Sequence, residues 1–410
     1  MSSHSLLQTK KIQQSKGTRR LWLILLLGSL SAFGPLSLDM YLPALPHLTD
    51  DFHTSPSLVQ LSLTACMIGL SVGQLFSGVW SDIKGRRKPL LLFLALYGLS
   101  SILCAMAPSI GILIVLRFIQ GFAGSAGIVI SRAVVSDLYE GPELTRFFAM
   151  LMLVNGAAPI FAPIAGGQLL RFTSWEGVFI VLGVWGFLIL LAVLLGLPET
   201  LAPDKRLSGG FRETMNTFNV LLRDRIFIGY ALTQGLVMAA MFAYIAGSPF
   251  VLQNIYGVTP QGFSLLFAIN GAGIILFGQV TGRLAARVGE RKLFVCGLTI
   301  AATAGVALML LVWLDAPLMA ILIPLFLVVA SVGIISTTGF ALAMQRHGRT
   351  AGSASALLGL LSFTLGGIMA PLVGLGGSAN ALPMVFWIAA AELGAVACYL
   401  VLVRRTASRI

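Results

Sequence analysis

Charge is what this sequence has least of. Only 10% of its residues are Asp, Glu, Lys or Arg, where soluble domains average about 25%. A chain so poor in charge, and 57% hydrophobic, cannot present a solvated surface on every side, which excludes an ordinary soluble domain. Histidine and cysteine are scarce too. His4, His47, His53 and His347 are scattered, and Cys66, Cys104, Cys296 and Cys398 fall singly in apolar stretches. None has metal-ligand or redox spacing, so the cysteines read as small core side chains. Ser-His-Asp, zinc and Walker patterns are missing, which leaves no support for a hydrolase or an ATP-driven pump. No metal and no cofactor is expected.

What is there is apolar runs. Stretches of roughly 20 residues recur along the chain, enough to cross the ~30 Å hydrocarbon core as helices. Barrel strands alternate apolar and polar over about ten residues, and that pattern does not occur here. The chain is predicted to be an all-α membrane protein. Its polar breaks mark twelve spans, at 21–43, 58–80, 89–107, 110–132, 146–170, 177–197, 226–251, 262–282, 293–313, 317–342, 351–374 and 382–403. The first run leads into proline-rich sequence without a cleavage site, and reads as a retained helix rather than a signal peptide.

Lysine and arginine choose the orientation. Of the 27 basic residues, 25 fall in the N-terminal tail 1–20, on alternate loops, in the long central connection 198–225 or in the C-terminal tail 404–410, against Arg171 alone on the opposite loops. The positive-inside rule therefore places both termini in the cytoplasm. The net charge of +12 is topogenic and lipid-facing, not a nucleic-acid footprint. The central connection separates two expected six-helix bundles, 21–197 and 226–403. Phe211, Met215, Phe218 and Leu222 within it recur at helical spacing, which suits a surface helix or a solvated linker equally.

The halves repeat. "GLSVGQLFSGVWSDIKGRRK" (69–88) and "GIILFGQVTGRLAARVGERK" (273–292) align without gaps at an offset of 204 residues, with Gly69/Gly273, Gly78/Gly282, Gly85/Gly289, Arg87/Arg291 and Lys88/Lys292 coinciding. Two six-helix parallel repeats are the architecture of alternating-access transporters of the major facilitator type.

Several motifs carry that resemblance. "GQLFSGVWSDIKGRRK" (73–88) resembles the cytoplasmic loop signature of the major facilitator superfamily, "LRFIQGFAGSAG" (116–127) its fourth-helix motif, and "APIFAPIAGGQL" (158–169) its antiporter motif. "LDMYLPALP" (38–46), with "AGSPFV" (246–251) and "GSASALLG" (352–359), is similar to the bicyclomycin/chloramphenicol-resistance (Bcr/CflA) subgroup of drug/proton antiporters. The resemblance implies that Asp82, Gly85, Arg86 and Arg87 form a cytoplasmic gate whose charges bridge toward the other half; the alternative is a solvated topogenic loop. It implies that Pro159, Pro163, Gly166 and Gly167 form the antiporter motif, where prolines kink the helix and glycines admit a neighbour. Ala162 departs from the glycine usual there. An ordinary kinked membrane helix is the plainer reading.

Two charges inside spans stand out. Arg117 lies within the fourth span, where a guanidinium costs several kcal/mol and must find a partner; it cannot deprotonate, so an acceptor or a carboxylate is required. At 1.5 Å per residue, Asp39 lies about 28 Å above the inner face and Arg117 about 22 Å above it. That difference of about 6 Å is within an arginine's reach. Asp39 and Arg117 are therefore the candidate proton-coupling pair, against a reading of Asp39 as a solvated interfacial residue. Glu392, near the middle of the last span, has no obvious partner; a second proton site, a helix contact and a tolerated oddity stay open. Gln120, Asn155, Gln234, Tyr244 and Asn270 are candidate cavity residues or packing hydrogen bonds.

The expected function is export of hydrophobic or amphipathic drugs in exchange for protons across a bacterial inner membrane, by a monomer. Export of a defined metabolite such as a nucleoside or amino acid is the alternative. A membrane receptor would not need the repeated gate motif, and a membrane enzyme would need a polar catalytic cluster.

Overall fold

The computed structural model describes residues 17–139, 141–206, 220–344, 351–377 and 380–404, and among these there are helices and turns but no strand. The N-terminal half comprises α1 (Gly17–Ser31), α2 (Phe33–Asp39), α3 (Leu45–Asp51), α4 (Pro56–Lys84), α5 (Arg87–Ala105), α6 (Ile110–Leu138), α7 (Gly141–Leu169) and α8 (Trp175–Gly196). The C-terminal half comprises α9 (Arg225–Pro249), α10 (Pro260–Val288), α11 (Glu290–Trp313), α12 (Leu318–Met344), α13 (Ala351–Gly374) and α14 (Leu382–Cys398). Among the described residues ten helices are long and apolar enough to cross a bilayer, and the bent first pair makes eleven. The remaining predicted span, 146–170, falls on α7, a helix of 29 residues. Of the central connection, residues 207–219 lie outside the described residues, as do Phe211, Met215 and Phe218 of the predicted surface helix.

The first span is not the single helix that 21–43 predicts. The segments Leu21–Ser31 and Phe33–Asp51 meet at a bend of 42°. Pro35 has no N–H to offer the carbonyl of Ser31, and its ring crowds that carbonyl. The break delivers Asp39 to the end of a short, separately oriented helix.

The repeat is more extensive than its motif. α4 and α10 each contain 29 residues and start and stop at positions 204 residues apart. Ser55 and Thr259 cap them with side-chain oxygens, accepting from the N–H of Leu58 and of Gly262, and Pro56 and Pro260 take the first helical position, where no N–H is needed. Each ends on a glycine, Gly85 or Gly289, with φ of +91°.

Water gives no drive to helix association inside a bilayer, so close backbone approach must supply it. Gly69 and Gly73 on α4 face the backbone of α6 at Phe118 and Phe122, and Gly333 on α12 faces the backbone of α10 at Ile274 and Gly278. A side chain at any of these would overlap backbone. The cores differ at the two ends. Toward the basic loops each half has its own apolar core, one around Leu27, Phe93 and Val134 and one around Phe227, Phe294 and Tyr399. Toward the opposite end one core runs through both halves, from Leu38, Tyr41 and Phe179 to Tyr244, Phe263 and Val385. Cys66 and Cys104 are buried as expected, whereas Cys296 is exposed, on a face of α11 turned outward.

Candidate functional site

A cavity of about 730 Å³ lies between the halves, walled by α2, α4, α6 and α7 on one side and α9, α10, α12 and α13 on the other. Its lining is mostly apolar, including Leu38, Ile128, Met238, Met241, Phe242, Phe267 and Phe363. The polar exceptions are Asp39, Ser71, Gln74, Arg132, Tyr244 and Asn270. Six side-chain hydrogen bonds between described residues join the halves: Ser57 to Pro371, Gln60 to Ala246, Thr64 to Gly367, Gln253 to Pro43, Gln261 to Gly167 and Ser264 to Pro163. Each lies toward the end opposite the basic loops, where the shared core also lies. The halves are sealed there, and the cavity extends from Asp39 toward the basic side.

Asp39 closes α2 and is only 6% exposed. It lines the cavity, and no ion pair or hydrogen bond to its carboxylate is found among the described residues. Tyr244 and Asn270 share this wall, the Asn270 amide donating to the Tyr244 hydroxyl at 2.9 Å, and the Tyr244 ring stacks on Phe267 with centroids 5.6 Å apart.

Arg117 is fully buried, but outside the cavity. One terminal nitrogen donates to Gln120 Oε1 at 2.5 Å and the other to the Ser37 carbonyl at 2.8 Å. The guanidinium carbon sits 4.3 Å from the centre of the Tyr41 ring and 5.5 Å from that of Phe179. Gln120 passes the chain on, donating to Ser101 Oγ at 2.8 Å, while the Ser37 and Tyr97 hydroxyls bond at 2.8 Å. The predicted ion pair between Asp39 and Arg117 is not made. Helical rise gives depth alone, and the two side chains differ in direction: the guanidinium turns between α2, α5 and α8, and the carboxylate turns to the cavity. Among the described residues the link between them runs through α2, whose Ser37 carbonyl lies two residues before Asp39.

The remaining candidates divide. Tyr244 and Asn270 line the cavity. Gln120 belongs to the Arg117 network, and Gln234 lies off the cavity, its Oε1 buried without a partner and turned toward Gly339. The side chain of Asn155 lies outside the described residues. Pro159 and Pro163 are inside α7, and Pro159 reaches the cavity. Gly166 packs against the carbonyl of Met40 and Gly167 against Ser264 of α10. Glu392 is buried on α14 against α11, both carboxyl oxygens without partners and its Cγ 3.7 Å from where a Gly305 side chain would begin; it does not line the cavity.

The 82–87 cluster is tied to its own half. Arg86 pairs with Asp82 and, through Nε, with Asp137 at 3.0 Å. Glu199 accepts from the backbone N–H of Arg86 at 2.8 Å and of Arg87 at 3.2 Å. Arg87 also donates to the Leu194 carbonyl at 2.7 Å. No bridge from these four residues to the C-terminal half occurs among the described residues.

Residues 21–371 match the family described as Major Facilitator Superfamily. The chain belongs to the Major Facilitator Superfamily. It is 46% identical over 370 residues to the uncharacterized MFS-type transporter YdgK of Bacillus subtilis (strain 168), covering 90% of this chain and 92% of the relative. It is 31% identical over 382 residues to the bicyclomycin resistance protein homolog of Haemophilus influenzae, covering 93% and 96%. The xylose transporter XylE from E. coli, in an inward open conformation, superposes with a TM-score of 0.73 over 94% of this chain and 96% of that one, at 15% identity. Among Major Facilitator Superfamily proteins this chain thus falls with the Bcr/CflA drug-efflux subgroup, and it is a transporter rather than an enzyme.

Sequence reasoning about this Major Facilitator Superfamily member missed Asp137, Glu199 and Arg132. The first two stand outside the predicted spans, where an acid reads as one more loop residue. The fourth span is predicted to end at Arg132, whereas α6 continues for six more residues to Leu138, which leaves Arg132 inside the helix and on the cavity wall.

Proposed function

We propose that this transporter exports hydrophobic or amphipathic compounds in exchange for protons, by alternating access across a bacterial inner membrane. The observation that carries the reading is an unpaired carboxylate, Asp39, in the wall of a mostly apolar cavity between the halves. An isolated charge in such a place is costly to keep dry, and a proton or a cationic ligand group removes that cost. Competition of the two for one carboxylate is the simplest physical form of exchange. The apolar and aromatic lining, with Met238 and Met241, suits adaptable recognition.

Both termini face the cytoplasm in this reading, by the bias of basic residues, and the cavity is then open inward and sealed outward. Pro163 and Gly167 of α7 belong to the outer seal, since their carbonyls accept hydrogen bonds from α10. The charges at 82–87 brace the inner end of one half against the next state. Arg117 positions the end of α2, and hence Asp39, through the Ser37 carbonyl. The protein works as a monomer in this reading, its cavity being complete within one chain.

The test is proton-driven transport in inverted vesicles. Asp39→Asn should insert and fold but lose pH-gradient-dependent efflux, while Asp39→Glu keeps part of it. Full gradient-dependent transport by the Asn variant would sink the proposal.

A further inference from the structure

The cavity holds a second charge, of opposite sign, to which the efflux reading gives no role. Arg132 lies on α6 and lines the same cavity as Asp39. Its Nε is buried without a partner, and no ion pair or hydrogen bond to its guanidinium is found among the described residues. The acid nearest along its helix, Asp137, is turned to other partners: its Oδ2 accepts from Arg86 at 3.0 Å and from the Thr200 hydroxyl at 2.9 Å. The other polar groups in the wall offer little. Ser71 donates to the Met67 carbonyl, and Tyr244 and Asn270 bond each other, which leaves the Gln74 amide as the wall's one neutral acceptor without a bond among the described residues. A guanidinium has five donors and no way to discharge, more than one amide oxygen can satisfy, so further acceptors must come from water or from what enters the cavity.

Asp39 does not supply them. Gly34 of α2 lies beside Ile128 of α6; from that level Asp39 lies five residues toward the sealed end and Arg132 four residues toward the basic side. The two backbones are therefore about 13 Å apart along the helices, more than an arginine stem of roughly 6 Å can close. The gap between the charges has the size of a drug-like molecule.

We infer that Arg132 contacts the substrate directly, and that the cavity accepts amphipathic compounds with a carboxylate or a comparably strong acceptor at one end and a cationic or donor group at the other. This rests on the efflux reading of the cavity and adds its substrate class: zwitterionic amphiphiles are favoured over purely cationic ones. Guanidinium pairs bidentately with planar acceptors, so the preference belongs to arginine more than to charge alone.

The test uses the purified full-length chain and two fluorescent probes, a cationic xanthylium dye bearing a free carboxylate and its methyl ester. Wild type should bind the acid more tightly than the ester. Arg132→Gln should cut the acid-over-ester preference about ten-fold or more, and Arg132→Lys, which keeps the charge without the fork, should restore part of it. The inference is overturned if wild type prefers the ester, if Arg132→Gln weakens both dyes equally, or if it changes neither. Should the Gln variant not fold, the wild-type ratio and the Lys variant still decide the matter, since a folded Lys protein that keeps the full wild-type ratio contradicts recognition by the guanidinium fork. Wild-type protein that binds neither dye counts against the efflux reading itself and takes this inference with it, an outcome distinct from binding without discrimination.

Discussion

A guanidinium sealed among helices needs partners, and both terminal nitrogens of Arg117 find neutral ones, while its Nε has none among the described residues. Its partners are an amide oxygen, a backbone carbonyl and two aromatic faces, none of which can exchange a proton at ordinary pH. Truncation would leave Gln120 Oε1 and the Ser37 carbonyl unpaired in a dry site, at about 1–3 kcal/mol each. Arg117→Met is therefore expected to lower stability by about 2–4 kcal/mol, read as a fall in melting temperature in detergent. Arg117→Lys retains one charged donor within reach and should lose clearly less. A Met variant as stable as wild type would show that the network is not a brace. The same comparison bears on Asp39: if Arg117 acts on it only through α2, the folded Lys variant should keep proton dependence although the fork is gone.

At the scale of the element, α4 and α10 are the same helix used twice, with the same cap, the same length and the same terminal glycine. Their C-terminal surroundings differ. At the offset of 204 residues, Asp82 and Arg86 correspond to Ala286 and Glu290, so only the N-terminal copy carries the network of Arg86, Asp82 and Asp137. The glycines report this difference. Gly85 and Gly289 share a φ of +91°, a region that costs an L side chain about 1–3 kcal/mol. A methyl group on Gly85 would also run into the Glu199 carboxylate and the Arg206 guanidinium, while one on Gly289 would meet nothing. Both alanine substitutions should destabilise, and Gly85→Ala should cost measurably more than Gly289→Ala in parallel thermal unfolding. Equal losses would mean that the acidic cradle around Gly85 yields freely.

For the whole molecule, the decisive feature is that the hydrogen bonds joining the halves among the described residues all lie toward one end. The seal includes the contact of α4 with α13, where the Thr64 hydroxyl donates to the Gly367 carbonyl at 2.8 Å and a side chain at Gly367 would start 3.4 Å from the Thr64 methyl. That spacing suits a disulfide. If export proceeds by alternating access, as proposed, Thr64→Cys with Gly367→Cys should transport when reduced, stop when oxidised and recover with reductant, while each single variant stays active. Undiminished transport by the fully cross-linked protein would rule out alternating access through this face.

The sequence by itself determined the helical membrane class, the number and limits of most spans, the repeat and its glycine turns. Those depend on local composition and periodicity: apolar length sets a span, a capping residue before proline starts a helix, and glycine ends one. Pro35 even carried the signal for the break in the first span. Direction around a helix axis is a different matter. A rise of 1.5 Å per residue converts position into depth, and on depth alone Asp39 and Arg117 are neighbours. Which face each presents depends on how α2, bent away from α1, is set against α5, α6 and α8. Only that packing turned Arg117 inward to Ser37 and Gln120, left Asp39 to the cavity, and put Arg132, which sits at a predicted span end, on the same wall.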